Sequence, residues 1–314
     1  MRILVIGAGA VGGYFGARLA EAGRDVTFLV RPRRAAQLRQ ALVVKSPAGD
    51  LRLDAPRLVT ADQLSAPYDL ILLSCKAYDL EDAIASFAAA VGPDTSILPL
   101  LNGMAHIDAL NARFGAARVL GGQCVISATL DDAGHILHLN DMHSMSFGEQ
   151  GGGRSDRLAR VAAALSGAKF TAEPSEAIVL EMWEKWVFIA TAAGMTCLMR
   201  AAIGDIVAAG AGAGALPLAL LDDCAGIAAN HGFTPRAAAL DRFRAILSAP
   251  QSPIMASMLR DIERGARIEA DHIVGDLLRR GGDDLDPHSL LRIAYLHLKA
   301  YEARRQREAG ARSG

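Results

Sequence analysis

Gly7-Ala8-Gly9-Ala10-Val11-Gly12 is a GxGxxG run, placed directly after an aliphatic segment at residues 2–6 and directly before an apolar pattern at helical spacing through Val11, Phe15 and Leu19. In that setting the glycines have physical jobs: Gly7 allows a tight turn, Gly9 lets the backbone approach a pyrophosphate, and Gly12 permits close helix–strand packing. With Ala10 and Val11 they open a helix whose N-terminal amides and partial positive charge suit phosphate. The next strand, residues 25–30, ends not in Asp or Glu but in Val30-Arg31-Pro32-Arg33-Arg34. Basic residues suit a 2′-phosphate, so the sequence predicts NADPH over NADH, with Arg31 as the main contact. A solvated loop in an arginine-rich chain is the other reading of this cluster.

The chain has five lysines against twenty-eight arginines, which makes each lysine worth following. Lys76 follows the apolar run at residues 70–74, and Asn102-Gly103 follows the run at residues 96–101, so both are expected at carboxyl ends of parallel strands, where ligands of such sheets bind. Turn chemistry alone explains either residue equally well. Lys185 sits between Trp183 and Trp186, with Met182, Phe188, Ile189 and Ala192 on or near its face. Partial desolvation there would lower its pKa and make it a usable general acid, whereas a pair with Glu181 one turn earlier is the ordinary alternative. Further on, Ser257, Glu269, Asp271 and His272 are polar candidates, Arg264 and Arg267 could pair with nearby acids, and nothing local singles out Glu269.

The elements that must position these residues follow from pattern. At roughly 150 residues per domain, 314 residues suggest two domains. Strands at residues 2–6, 25–30, 70–74 and 96–101 alternate with helices, one of them over residues 80–91, which implies a parallel sheet covered on both faces. Segments 119–130 and 135–147 read as strands without an intervening helix and are expected to add an antiparallel edge to that sheet. Beyond Pro174 strand signals stop, and helical patterns occupy residues 176–199, 216–231, 235–247 and 287–305. The AAGAGAGA run at residues 208–215 reads as a connection between helices. The expectation is therefore an α/β chain, with a doubly wound Rossmann-type NADP-binding domain over residues 1–174 and an all-helical substrate domain over residues 175–314.

Composition narrows the partners. A net charge of −1 gives no electrostatic footprint for nucleic acid or an anionic membrane. No run approaches about eighteen continuous apolar residues, and no signal peptide is expected. Cys75, Cys124, Cys197 and Cys224 are far apart with no CxxC, which suits structural thiols in a reducing, cytoplasmic setting rather than disulfides or a metal site.

The motifs IGAGAVGGYFGARLAEAG, the Arg31 cluster, SCKAYD, LLNGM, the tryptophan-flanked Lys185, and SMLRDIERGARIEAD followed by LLRR resemble, in order and spacing, those of the ketopantoate reductase (2-dehydropantoate 2-reductase) family. The resemblance runs to about residue 300. It implies a Rossmann domain joined to a helical domain like that of 6-phosphogluconate dehydrogenase, an active site in the cleft between them, NADPH as donor and a small-molecule 2-keto acid as substrate. Position by position, it makes Lys185 the proton donor to the ketone oxygen and Glu269 its acidic partner. It sets Ser257 on the substrate carboxylate, Asn102 near substrate and nicotinamide, and Lys76 on the cofactor side. Better-known members carry asparagines four, eight and eighteen residues after the helix lysine, where this chain has Ile189, Ala193 and Ile203. Reduction of 2-dehydropantoate to pantoate, in pantothenate and coenzyme A synthesis, is the leading expectation, and that departure makes a more apolar keto acid or ketone the alternative. A non-catalytic NADPH-binding regulator is a further alternative, and a homodimer is expected only on base rates.

Overall fold

The computed structural model describes residues 1–282 and 285–313, with side chains as far as Ala311. The chain divides into two compact units, Met1–Leu101 with His106–Val179, and Asn102–Ala105 with Leu180–Gly314.

In the first unit, β1 (Arg2–Ile6), α1 (Ala10–Glu21) and β2 (Asp25–Leu29) form the opening βαβ unit, followed by a short α2 (Pro32–Leu38). A hairpin of β3 (Ala41–Lys45) and β4 (Leu51–Asp54) then interrupts the alternation before β5 (Leu58–Val59), β6 (Leu70–Leu73), α3 (Leu80–Phe87) and β7 (Ser96–Pro99). The main sheet has the order β5-β2-β1-β6-β7, and its neighbouring strands are all parallel. β1 beyond Arg2 and all of β6 are buried aliphatic runs, and β2 buries Val26, Phe28 and Leu29, as strands covered on both faces require. Strand order reverses between β1 and β6, which is where a doubly wound sheet opens a ligand crevice at its carboxyl edge.

After α4 (Ala105–Phe114) come β8 (Gly121–Leu130), β9 (Ile136–Gly148), α5 (Asp156–Leu165) and β10 (Thr171–Pro174). β8 and β9 pair antiparallel, as expected, but they do not extend the main sheet. They belong to a second sheet of order β10-β9-β3-β4, with β8 on the other side of β9. The reason is the β3–β4 hairpin, which supplies β9 with a parallel partner at Val44–Ile136 and Lys45–Leu137. Just before β8, Val119 makes an isolated parallel bridge to Ile97 of the main sheet. Helix α1 lies between the sheets. A Cβ at Gly16 would stand 2.5 Å from Phe28 of β2, and one at Gly13 would stand 2.5 Å from Ile136 of β9.

The second unit is built of helices and connecting turns, with no strand among its described residues. It is built on α6 (Ile178–Met199), whose first two residues fall in the first unit, followed by α7 (Ile203–Ala208), α8 (Ala215–Asn230), α9 (Ala237–Leu247) and α10 (Ser257–Glu263). A π-helical segment, Asp271–Gly275, runs directly into α11 (Asp276–Gly281), and α12 (Leu290–Ser313) closes the chain. The AAGAGAGA run spans the end of α7, a turn and the start of α8. Trp183 and Trp186 anchor the core: Trp183 stacks on Phe233 and His231, and the Arg280 guanidinium lies 5.7 and 5.6 Å from the two indole centroids. None of the four cysteines forms a disulfide. Burial pushes the Cys197 and Cys224 thiols up to about 12, leaving them protonated packing groups.

Candidate active site

The turn after β1 has the geometry its sequence requires. Gly7 adopts φ +84°, a conformation that an L side chain rarely takes, and its amide donates to Leu29 O at 2.8 Å. A Cβ at Gly12 would stand 2.7 Å from Gly7 O and 3.2 Å from Val5, so the helix approaches the strand more closely than any larger residue allows. By contrast, a Cβ on Gly7 or Gly9 would meet nothing within 4 Å. The outer surface of the turn is open, and α1 begins immediately beyond it at Ala10 with no acidic residue in its first turn. That combination suits an anion at the helix N-terminus.

The basic cluster at the end of β2 divides into two kinds of arginine. Arg31 is exposed, with Asp79 3.5 Å from its Nη2. Asp79 closes the 3-10 turn Ala77–Asp79 that follows Lys76, and its amide donates to Lys76 O at 2.9 Å. Arg31 and the Lys76 turn are therefore neighbours at the carboxyl edge of the sheet. Arg34 is half-buried and turns back to the glycine turn, where Nε and Nη2 both donate to Ala8 O.

In the second unit α6 is buried for most of its length, and Glu181, Lys185, Phe188 and Ile189 form a partly accessible stripe along it. Met182 and Ala192, expected near Lys185, are instead buried beside that stripe. Trp186 Nε1 donates to Ile273 O at 2.8 Å, tying the residue after Lys185 to the π-helical segment. That segment follows Glu269 closely, and Ile273 N donates to Glu269 O at 3.0 Å. Farther along α6, Thr196 Oγ1 accepts from Ala256 N at 3.3 Å, immediately before Ser257 opens α10. One helix thus braces the segments that carry Glu269 and Ser257.

Asn102 follows β7, as expected, but the four residues from Asn102 to Ala105 group with the helical unit. The link is His272: its ring is half-buried, and a backbone hydrogen bond joins it to Asn102. Gly103 takes φ +78°, and a Cβ there would stand 3.0 Å from His272 O. Burial lowers the His272 pKa, and Glu269, the Asn102 hydrogen bond and Asp276 oppose the shift without cancelling it. Of the three positions where polar groups are missing, Ile189 is partly accessible, while Ala193 and Ile203 are 3% and 0% exposed.

Two of these features were out of reach of sequence reasoning. Arg34 bonds to residues 26 and 100 positions away, and only its place in the RPRR cluster gave any signal. His272 was one polar residue among several, and its tie to Asn102 follows from the fold alone. Among the described residues no group of three or more His, Cys, Asp or Glu could hold a metal ion, and no helix is long and apolar enough to cross a membrane.

A Rossmann-type unit with an open glycine turn, followed in the chain by a helical unit carrying lysine, glutamate and serine, is the plan of a class of two-unit oxidoreductases. Family models place the chain more narrowly. Residues 3–152 match the ketopantoate reductase PanE/ApbA model and residues 177–302 match the model of its C-terminal part. This chain belongs to the ketopantoate reductase family and is an oxidoreductase. It is 36% identical over 304 residues to the oxidoreductase YkpB of Bacillus subtilis, covering 96% of this chain and 99% of that one. The crystal structure of 2-dehydropantoate 2-reductase from Geobacter metallireducens superposes with a TM-score of 0.85 at 25% identity, covering 96% and 99% of the two chains. A structure of D-mandelate dehydrogenase with NADH and anilino(oxo)acetate reaches the same TM-score at 20% identity, over 98% of this chain and 100% of that one, and shares the fold.

Proposed function

We propose that the protein reduces a 2-keto acid to the 2-hydroxy acid with NADPH, and that 2-dehydropantoate, giving pantoate for pantothenate synthesis, is the leading substrate. The observation that carries this reading is the bracing of α6, in which the accessible Lys185 is linked through Trp186 and Ile273 to the segment that follows Glu269. The residues also fit a dinucleotide, because the glycine turn is open outward, sealed inward at Gly12 and free of acidic side chains in the first helical turn.

The bound cofactor would supply a hydride to the carbonyl carbon. This chain's residues would do the rest. Gly7, Gly9, Ala10, Val11 and Gly12 offer backbone amides to the pyrophosphate, and Arg31 and Lys76 add positive charge at the same sheet edge. Ser257 donates its hydroxyl to the substrate carboxylate, and Asn102 holds the substrate near the nicotinamide. Glu269 holds Lys185 charged and oriented, Lys185 Nζ gives a proton to the carbonyl oxygen as negative charge develops there, and solvent then returns a proton to the neutral amine.

Ile189, Ala193 and Ile203 favour a second reading within the same chemistry, a substrate with a more apolar side chain than 2-dehydropantoate. Steady-state kinetics decide between the two. 2-Dehydropantoate and a series of aliphatic and aryl 2-keto acids are compared with NADPH and NADH at equal concentration. Good turnover of 2-dehydropantoate with NADPH is the expected result. Negligible turnover beside efficient reduction of an apolar keto acid selects the second reading, and equal kcat/KM for the two cofactors removes the NADPH preference. In the same assay Lys185→Ala lowers kcat about 100-fold or more, the scale of a lost general acid. An unchanged kcat at saturating substrate would take Lys185 out of the mechanism.

A further inference from the structure

Arg34 is bound in a way that neither a solvated surface residue nor a simple phosphate ligand would be. Its Nε and Nη2 converge on Ala8 O at 3.1 and 2.9 Å. Nη2 also donates to Gly134 O, in the turn between β8 and β9, at 3.0 Å. Nη1 reaches Gln37 Oε1 at 3.3 Å. These partners are all neutral oxygens, and burial lowers the Arg34 pKa from a value high enough that the group keeps its charge.

Ala8 is the second residue of the glycine turn and is 2% exposed. A trans peptide is planar, with its C=O and N–H pointing in opposite directions within that plane, and the structure contains no cis peptide among its described residues. Fixing Ala8 O against Arg34 therefore turns the Gly9 N–H to the opposite side, and Gly9 is where the turn's surface is open. We infer that Arg34 is a positioning residue for the pyrophosphate of a dinucleotide: by pinning the Ala8 carbonyl to the β8–β9 turn, it presets the Gly9 amide that faces the phosphate. Its role differs from that proposed for Arg31, whose guanidinium stands exposed beside Asp79 and is free to meet a 2′-phosphate.

This inference rests on the dinucleotide reading above, and the test keeps the two apart. Dissociation constants for NADPH, NADH and ADP-ribose are measured by titration on the full chain, wild type, Arg34→Met and Arg34→Lys, alongside thermal melts and steady-state kinetics. A second perturbation comes from the far side of the strut: a Cβ at Gly134, where φ is +81°, would stand 2.5 Å from Arg34 Nη1, so Gly134→Ala strains this turn and displaces the guanidinium without removing it. Arg34→Met and Gly134→Ala are expected to weaken all three ligands by a common factor of about ten or more, the scale of one misdirected charge-assisted donor. The NADPH-to-NADH affinity ratio, kcat at saturating cofactor and KM for the keto acid should stay within about twofold of wild type, a split that a general loss of packing would not produce. Arg34→Lys should stay impaired, because a single ammonium lacks the fork that spans both carbonyls. Unchanged affinities in Arg34→Met overturn the inference alone. So does full recovery in Arg34→Lys, which would mean that charge rather than orientation acts, and so does a collapse of the NADPH-to-NADH ratio, which would make Arg34 a direct 2′-phosphate contact. A wild-type chain that binds none of the three ligands overturns the dinucleotide reading and this inference with it.

Discussion

Replacing Gly12 with alanine adds one methyl group at the tightest point of the β1–α1 turn, and the structure gives its cost. The new Cβ would stand 2.1 Å from Ser74 Oγ, 2.7 Å from Gly7 O and 3.2 Å from Val5 Cγ1. Ser74 can rotate away, but it then gives up its hydrogen bond to Ile6 O at 3.3 Å, worth about 0.5–1.5 kcal/mol. Gly7 O belongs to a backbone already held at φ +84° and must move bodily; such overpacking costs about 1–3 kcal/mol. Alanine's better helix propensity returns up to about 1 kcal/mol. The costs outweigh the gain, and a net loss of about 0.5–4.5 kcal/mol corresponds to a melting point lower by about 1–18 °C for a unit of this size. Gly226→Ala in α8 is the matched control, since a Cβ there meets nothing within 4 Å; it should stabilise by about 0.5–1 kcal/mol. Differential scanning calorimetry of the two variants should show shifts of opposite sign. Ser74→Ala in the Gly12→Ala background should recover only the part of the loss due to the hydroxyl, because the clash with Gly7 O remains. If Gly12→Ala melts at or above the wild-type temperature, the close approach argued for this turn is wrong.

Two further outcomes concern buried and half-buried ionisable groups. The Glu184 carboxylate is 5% exposed as a residue and accepts from Arg236 N and Nε, both at 2.8 Å, and from Nη2 at 2.5 Å. Burial raises its pKa, but the Arg236 bonds and charge more than reverse this and hold it below the usual carboxylate range. Arg236→Ala should cost about 1–3 kcal/mol in urea denaturation, at or below the low end for a broken buried pair because the arginine is half exposed; Glu184→Gln in that background should restore part of it, and an unchanged midpoint in the single variant would make the pair dispensable. The pH dependence should come from histidines. Burial, then the His138 and Arg18 charges, lower the His143 pKa, and burial lowers that of His272. A histidine depressed in the folded state is protonated first in the unfolded chain, so its stability contribution is complete above about pH 6.5 and is lost as pH falls towards the folded value. Melting temperature should therefore drop between pH 7 and 5.5, less steeply in His143→Asn; equal slopes for variant and wild type would exclude His143 from the transition.

How much of this was legible in the sequence depended on the reach of each interaction. The glycine turn could be read because its causes are local, a strand, a tight turn and a helix within twenty residues. Lys185 could be assigned to one face of α6 for the same reason. The β3–β4 hairpin was missed, since its short strands lie between stronger signals, and with it went the second sheet that takes up β8 and β9. α4, α5 and β10 escaped as well, because the alternation they continue is masked by that insertion. Asn102 read as a residue of the parallel sheet's edge, and only the packing of His272, far away in sequence, shows that its segment groups with the helical unit. Arg34 stood in plain view beside Arg31, yet which arginine turns inward depends on where the β8–β9 turn lies, and no pattern along the chain encodes that.

Helix α1 has no face to spare. One side is fitted to Val5 and Phe28 through glycines, the other meets Ile136 through Gly13, and even Arg18 within it is fully buried. A rod clamped in this way behaves as a datum rather than a moving part: the amides at its start are aimed before any ligand arrives, so binding need not spend free energy on setting them. The same clamp sets the terms for redesign. On the dinucleotide reading proposed above, cofactor choice cannot be retuned by reshaping this helix without disturbing two sheets at once, which leaves the exposed Arg31, just before α2, as the adjustable position. It also makes the second sheet audible at the first: a change in the bulk of Ile136, on a strand with no place in the nucleotide fold, is felt through Gly13 at the turn where phosphate would rest.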